Sequence, residues 1–150
     1  MEKKSILMII VSMVLVVISA GFIYAESNTQ VQVGSSTFNL PNGFYTVDSS
    51  KPDVVNITNG YDEFYLQECG DKNITKYINK YTKEVKENNK TVKIKNFTVD
   101  DVVVYKSTIV NNTHNLHYWF NHDGKVYLCY TKHGSGNMDD IVTDLIKNSN

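Results

Sequence analysis

Glu63-Phe64-Tyr65-Leu66-Gln67-Glu68-Cys69-Gly70-Asp71-Lys72-Asn73-Ile74 contains the change of rhythm that sets the fold class. Up to Cys69 the period is two: Phe64 and Leu66 share one face of a strand and Tyr65 takes the other. Gly70-Asp71 ends it. From there Ile74, Ile78, Tyr81 and Val85 recur at helical spacing, while Lys76, Lys80, Lys83 and Lys86 fall on other faces. Asp71 or Asn73 is placed to cap this helix, and Asn88-Asn89 to end it. A strand followed directly by an amphipathic helix calls for a sheet with helices packed on it. The helical stripe is expected to pack on that sheet.

Upstream, Ser36 to Leu40 alternates apolar and polar before Pro41-Asn42-Gly43 turns the chain. Phe44 to Val47 reads as a second strand, stopped by Asp48-Ser49-Ser50-Lys51-Pro52. Val54 to Thr58 is a third, and Asn59-Gly60 is a hairpin turn because both residues tolerate positive φ. Downstream, strands are predicted at Thr91 to Lys95, Val102 to Val110, His117 to Phe120 and Lys125 to Thr131. His122-Asp123-Gly124 turns between the last two. Gly134-Ser135-Gly136-Asn137 then breaks the chain before a second helix. Its stripe is Met138, Ile141, Val142, Leu145 and Ile146, with Asp139 and Asp140 at the positive N-terminal end. The predicted class is α+β: a mainly antiparallel sheet of about six to eight strands covered by two helices.

The stretch Gly34-Ser35-Ser36-Thr37-Phe38-Asn39-Leu40-Pro41-Asn42-Gly43-Phe44 resembles the F-x-(I/L)-P-x-G-(F/Y/W) opening of PsbP-like domains. The late aromatic strands followed by Ile141-Val142-Thr143-Asp144-Leu145-Ile146 are similar to their ends, so the resemblance spans about residues 34 to 148. The chain is also similar to short membrane-anchored proteins of unknown function from methanogenic archaea. PsbP-like relatives include a photosystem subunit and a fungal nuclear-import factor. The resemblance implies an α/β/α sandwich used for binding or assembly, and carries no activity with it.

Residues 5–25 contain no charge and follow Lys3 and Lys4. As a helix this run would span roughly 31 Å, about the thickness of a bilayer core. An uncleaved N-terminal transmembrane anchor is favoured over a cleaved signal peptide, because the apolar run is long and Ile23-Tyr24-Ala25 is a poor cleavage site. The lysines then stay inside, and the remainder lies outside the cell membrane, secreted in the signal-peptide alternative. Residues 26–33 read as a tether and residues 34–150 as a single extracytoplasmic domain.

All 15 basic residues are lysines, and the formal net charge is −1. The lack of arginine, the usual reader of guanine edges, excludes a nucleic-acid binder on this reading. Cys69 and Cys129 are the only cysteines. Outside the cytoplasm such a pair points to a disulfide worth about 4 kcal/mol; the alternative is two buried thiols. Five Asn-x-Thr triplets, at Asn56, Asn73, Asn89, Asn96 and Asn111, are acceptors for N-glycans, as expected of a surface glycoprotein.

No catalytic, metal or cofactor constellation emerges. His114, His117 and His122 lack the spacing of a zinc site. His133-Gly134-Ser135-Gly136 lacks the G-x-S-x-G elbow of a serine hydrolase. A small hydrolase or metal-dependent enzyme using the His114–Ser135 region is thus the alternative to a non-catalytic binding module. The functional candidate is electrostatic. Lys76, Lys80 and Lys83 form a ridge opposite the helical stripe, and Lys93 and Lys95 share one face of the next strand. Such a patch near a membrane suits an anionic envelope polymer or surface protein.

Overall fold

The computed structural model describes residues 29–131 and 137–149. The N-terminal run, the first three residues of the tether, His133 and Ser135 lie outside the described residues. Among the described residues no helix is long and apolar enough to cross a membrane.

A hairpin comes first, β1 (Gln30–Val33) and β2 (Ser36–Asn39), forming its own two-stranded sheet. The main sheet contains β3 (Tyr45–Lys51), β4 (Val54–Thr58), β5 (Glu63–Gly70), β6 (Val92–Val99), β7 (Val102–Ile109), β8 (Asn112–His122) and β9 (Lys125–Thr131). Its order is β3-β4-β5-β9-β8-β7-β6, and every pairing is antiparallel. Helix α1 (Ile74–Glu87) links β5 to β6, and α2 (Met138–Ser149) follows β9. The seven-stranded sheet and two helices match the predicted class.

Local chemistry accounts for the boundaries. Asn73 caps α1 by accepting from the Lys76 amide at 3.3 Å. Asn59 Oδ1 accepts from the amides of Tyr61 and Asp62 at 2.9 and 2.7 Å, closing the β4–β5 turn. Asp123 and Gly124 both hold positive φ, as a tight hairpin turn requires.

Several boundaries differ from the sequence expectation, among them the end of β6, which runs to Val99 instead of stopping at Lys95. Gln30–Val33, read as tether, is β1, with Val31 and Val33 buried. A four-residue strand that pairs only with its hairpin partner gives little periodic signal. β3 continues through Lys51 across the expected stop, and β8 begins at Asn112 instead of His117. Pairing with Ile109 across the β7–β8 hairpin carries Asn112 into the strand and overrides its weak strand preference.

Each face of the sheet has its own cover. On one, α2 and the hairpin bury Leu66, Tyr118, Phe120, Tyr127 and Cys129. Phe38 of β2 packs edge-on against Tyr127, their ring centres 4.8 Å apart. On the other, α1 lays Tyr81 against His117 and Trp119, at 4.5 and 5.1 Å. Of the α1 stripe only Val85 is fully buried; Ile74, Ile78 and Tyr81 are half-buried. The β3 end of this face is bare, leaving Tyr45 51% and Val47 42% exposed.

The hairpin is fastened from two sides. The Ser35 amide and hydroxyl both donate to Glu68 Oε2 at 2.7 Å, and Tyr127 Oη donates to it at 3.0 Å. These donors hold the Glu68 carboxyl below its ordinary pKa, the Ser35 bonds most strongly. Gly34, at φ +58°, passes so close that a Cβ there would overlap the carboxylate. From the far end Asn39 Nδ2 donates to the Asn148 carbonyl at 2.6 Å, tying β2 to α2. Glu68→Ala leaves these donors without their acceptor and should cost about 1–3 kcal/mol in urea denaturation. Glu84→Ala, on the exposed side of α1, should stay within about 0.5 kcal/mol of the parent.

Candidate functional site

The sheet divides the lysines into two groups. Lys76, Lys80 and Lys83 are exposed on α1. Two of them are matched by acids: Lys76 with Asp71 at 3.0 Å and Lys83 with Glu87 at 3.8 Å. Lys93 and Lys95 stand in register with Thr108 and Lys106, and Lys106 with Tyr118. Cross-strand partners share a face, and Tyr118 belongs to the core beneath α2. Lys93 and Lys95 therefore project on the α2 face, across the sheet from the ridge on α1. The five lysines do not form one patch.

On the α2 face they border a groove of about 530 Å³ between β6–β7 and the start of α2, with Phe97, Thr108 and Thr143 also lining it. Lys106 Nζ lies 2.7 Å from Asp139 Oδ1 and 5.6 Å from the centre of the Tyr118 ring. Tyr118 Oη donates to the same Asp139 oxygen at 2.8 Å. Burial, then Asp139, pushes the Tyr118 hydroxyl pKa up. Asp139 is thus engaged by Lys106 and Tyr118. Lys93 and Lys95 have no ion pair among the described residues. Lys95 directly faces Lys106 across the ladder, a like-charge pairing that weakens a sheet. The exposed ammonium groups of Lys93 and Lys95 suit the site to negative charge.

The opposite face carries an aromatic row that sequence reasoning missed. Register aligns Asn56, Tyr65, Tyr130, His117 and Ser107 across β4, β5, β9, β8 and β7. Tyr65 stacks on Tyr130 at 5.1 Å, Tyr130 on His117 at 5.7 Å, and His117 on Trp119 at 5.6 Å. Of the two aromatic sets expected on β8, Tyr118 and Phe120 are core beneath α2, and His117 and Trp119 lie beneath α1. His117 Nδ1, Tyr81 Oη and Ser107 Oγ are buried there without a hydrogen bond of good geometry. Only the β5–β9 pairing brings Tyr65 to Tyr130, and no local pattern encodes it.

The remaining candidates disperse. His114 is exposed, whereas His117 lies beneath α1, and a register shift of β8 against β7 separates the two. His122 packs on Phe38 at 4.6 Å, with Nε2 3.4 Å from Asp123. Among the described residues no three His, Cys, Asp or Glu side chains converge on a metal position. The region joining His114 to Ser135 is not described at its serine end. Cys69 and Cys129 are free thiols, which corrects the disulfide expectation. Cys129 pairs with Leu66, three residues before Cys69 on β5, an offset of roughly 10 Å that no disulfide spans. Burial raises both thiol pKa values, to about 11 for Cys69. Asn73, Asn89, Asn96 and Asn111 are exposed. Asn56 is half-buried, and its Nδ2 donates to Glu63 at 3.0 Å, a bond that a glycan there would displace.

Burial lowers the His117 pKa from 6.5 to about 4, so the fold holds this ring neutral. The unfolded chain binds the proton first. Stability from this group is complete above about pH 6.5 and falls as pH drops from there to about 4. His117→Phe keeps the stack and removes the proton, so its stability should fall less over that interval, measured by urea midpoints. Identical pH slopes for the two proteins would mean an ordinary, solvated imidazole.

No protein-family model and no curated protein matches the chain. Among solved structures it is similar to the solution structure of cyanobacterial PsbP (CyanoP) from Synechocystis sp. PCC 6803. That likeness has 13% identity and a TM-score of 0.47, and covers 85% of this chain and 94% of that one.

Proposed function

We propose that this chain is a non-catalytic binding or accessory module of PsbP-like architecture. Its N-terminal segment holds it at the outer face of a membrane. It engages an anionic envelope component through the groove of Lys93, Lys95 and Lys106. One observation carries this reading: Lys95 opposes Lys106, and with Lys93 it borders an open groove without an acidic partner of its own. Like charges opposite each other destabilise a sheet, and a bound anion offsets that repulsion. Placement at the membrane rests on the uncharged run of residues 5–25 after Lys3-Lys4.

With the full chain in neutral detergent, Lys93→Gln/Lys95→Gln should weaken binding to inorganic polyphosphate roughly two- to thirtyfold, two exposed charge contacts' worth. Added salt should weaken the parent as well. Lys76→Gln/Lys80→Gln/Lys83→Gln, across the sheet, should leave the affinity nearly unchanged. Equal loss in both variants would reduce the site to net charge alone.

For the membrane placement, the chain should stay with membranes after carbonate washing, and protease added outside intact cells should remove the folded domain. Recovery from the cytosol would overturn this placement without touching the groove.

A further inference from the structure

β6 ends the sheet, and it pairs with β7 over all eight of its residues without a register shift. No other described strand takes its outer side. An antiparallel strand directs alternate pairs of N–H and C=O groups away from a single neighbour, so about half of this backbone is open to pairing. At about 3.3 Å per residue the open edge runs roughly 26 Å. The opposite edge, β3, is broken by a register shift between Val47 and Lys51.

Side chains give the edge a sign and a pattern. Lys93, Lys95 and Phe97 project in sequence on the groove side; Ile94, Asn96 and Thr98 take the other. Two copies of the chain pairing through β6 would bring the unmatched lysines of both together, which like-charge repulsion opposes. A strand with carboxylates at alternate positions meets no such repulsion and supplies the acids that Lys93 and Lys95 lack. We propose that β6 is a docking edge for an extended acidic segment of a partner protein. The segment adds to the sheet as a further strand, with carboxylates two residues apart beside Lys93 and Lys95 and an apolar residue beside Phe97. Backbone hydrogen bonds then supply affinity, and the lysines select the charge. This inference rests on the anionic reading of the groove and names its occupant.

The test uses the full chain in neutral detergent and a synthetic peptide as long as β6, with glutamates two residues apart for Lys93 and Lys95, a leucine two residues further along for Phe97, and valines at the intervening positions. Two further peptides carry N-methyl groups on one or the other set of alternate amides. Strand addition uses only one set. One methylated peptide should therefore bind about tenfold more weakly or worse, and the other about as well as the parent peptide. Bound peptide should also slow hydrogen exchange along β6. If all three peptides bind alike, and polyphosphate binds too, strand addition is overturned while the anionic groove stands. If neither peptide nor polyphosphate binds at low salt, both readings fail. Self-association protecting β6 amides in place of peptide binding would give the edge to a second copy and overturn the acidic-segment proposal.

Discussion

The pairing of β5 with β9 is the contact on which the rest of the structure depends. β3-β4-β5 is one antiparallel meander and β6 through β9 another, and only this ladder joins them into one sheet. It is a non-local contact, closing a loop that contains α1 and three strands, so its entropic cost precedes its reward. Its register sets both faces at once. Leu66 meets Cys129 beneath α2, and on the other side Tyr65 meets Tyr130. A slip of one residue would exchange the faces, placing tyrosines in the core and leucine outside.

Unequal cover on the two faces follows from what each helix can reach. α2 has five fully buried residues along its stripe and shares its face with the hairpin, which Glu68 and Asn39 fasten at opposite ends. α1 has one, works alone, and meets the sheet at β6 and β8. The β3 end of its face therefore keeps Tyr45 and Val47 in solvent. The same division separates the lysines. A ridge on α1 and a pair on β6 adjoin in sequence yet stand on opposite sides of a sheet whose hydrocarbon core excludes any joint ligand.

Asp139 Oδ1 is held by Lys106 and Tyr118, and burial pushes both thiols away from the reactive thiolate. What remains available is unmatched positive charge beside an unpaired strand edge. Lysines on an edge strand commonly deter edge-to-edge aggregation.

By itself the sequence determined the class of each element. The change of period at Gly70-Asp71, the turn residues Asn59-Gly60 and Asp123-Gly124, and the stripe from Met138 to Ile146 are local signals, set by alternation, positive φ and helical spacing. Hence both described helices and most strands of the main sheet were legible, and Lys93 and Lys95 were correctly placed on one strand face. β1 escaped because a short strand with two apolar residues has no pattern until its partners are known. Which faces meet was decided only in three dimensions. The spacing of Cys69 and Cys129 allowed a disulfide until the β5–β9 register put Leu66 opposite Cys129. The five lysines looked continuous until α1 and the groove took opposite sides of the sheet. Tyr65, Tyr130 and His117 showed no relation until three strands aligned them. Periodicity fixes how a residue faces within its own element; the long-range register, which no local pattern encodes, fixes what it faces.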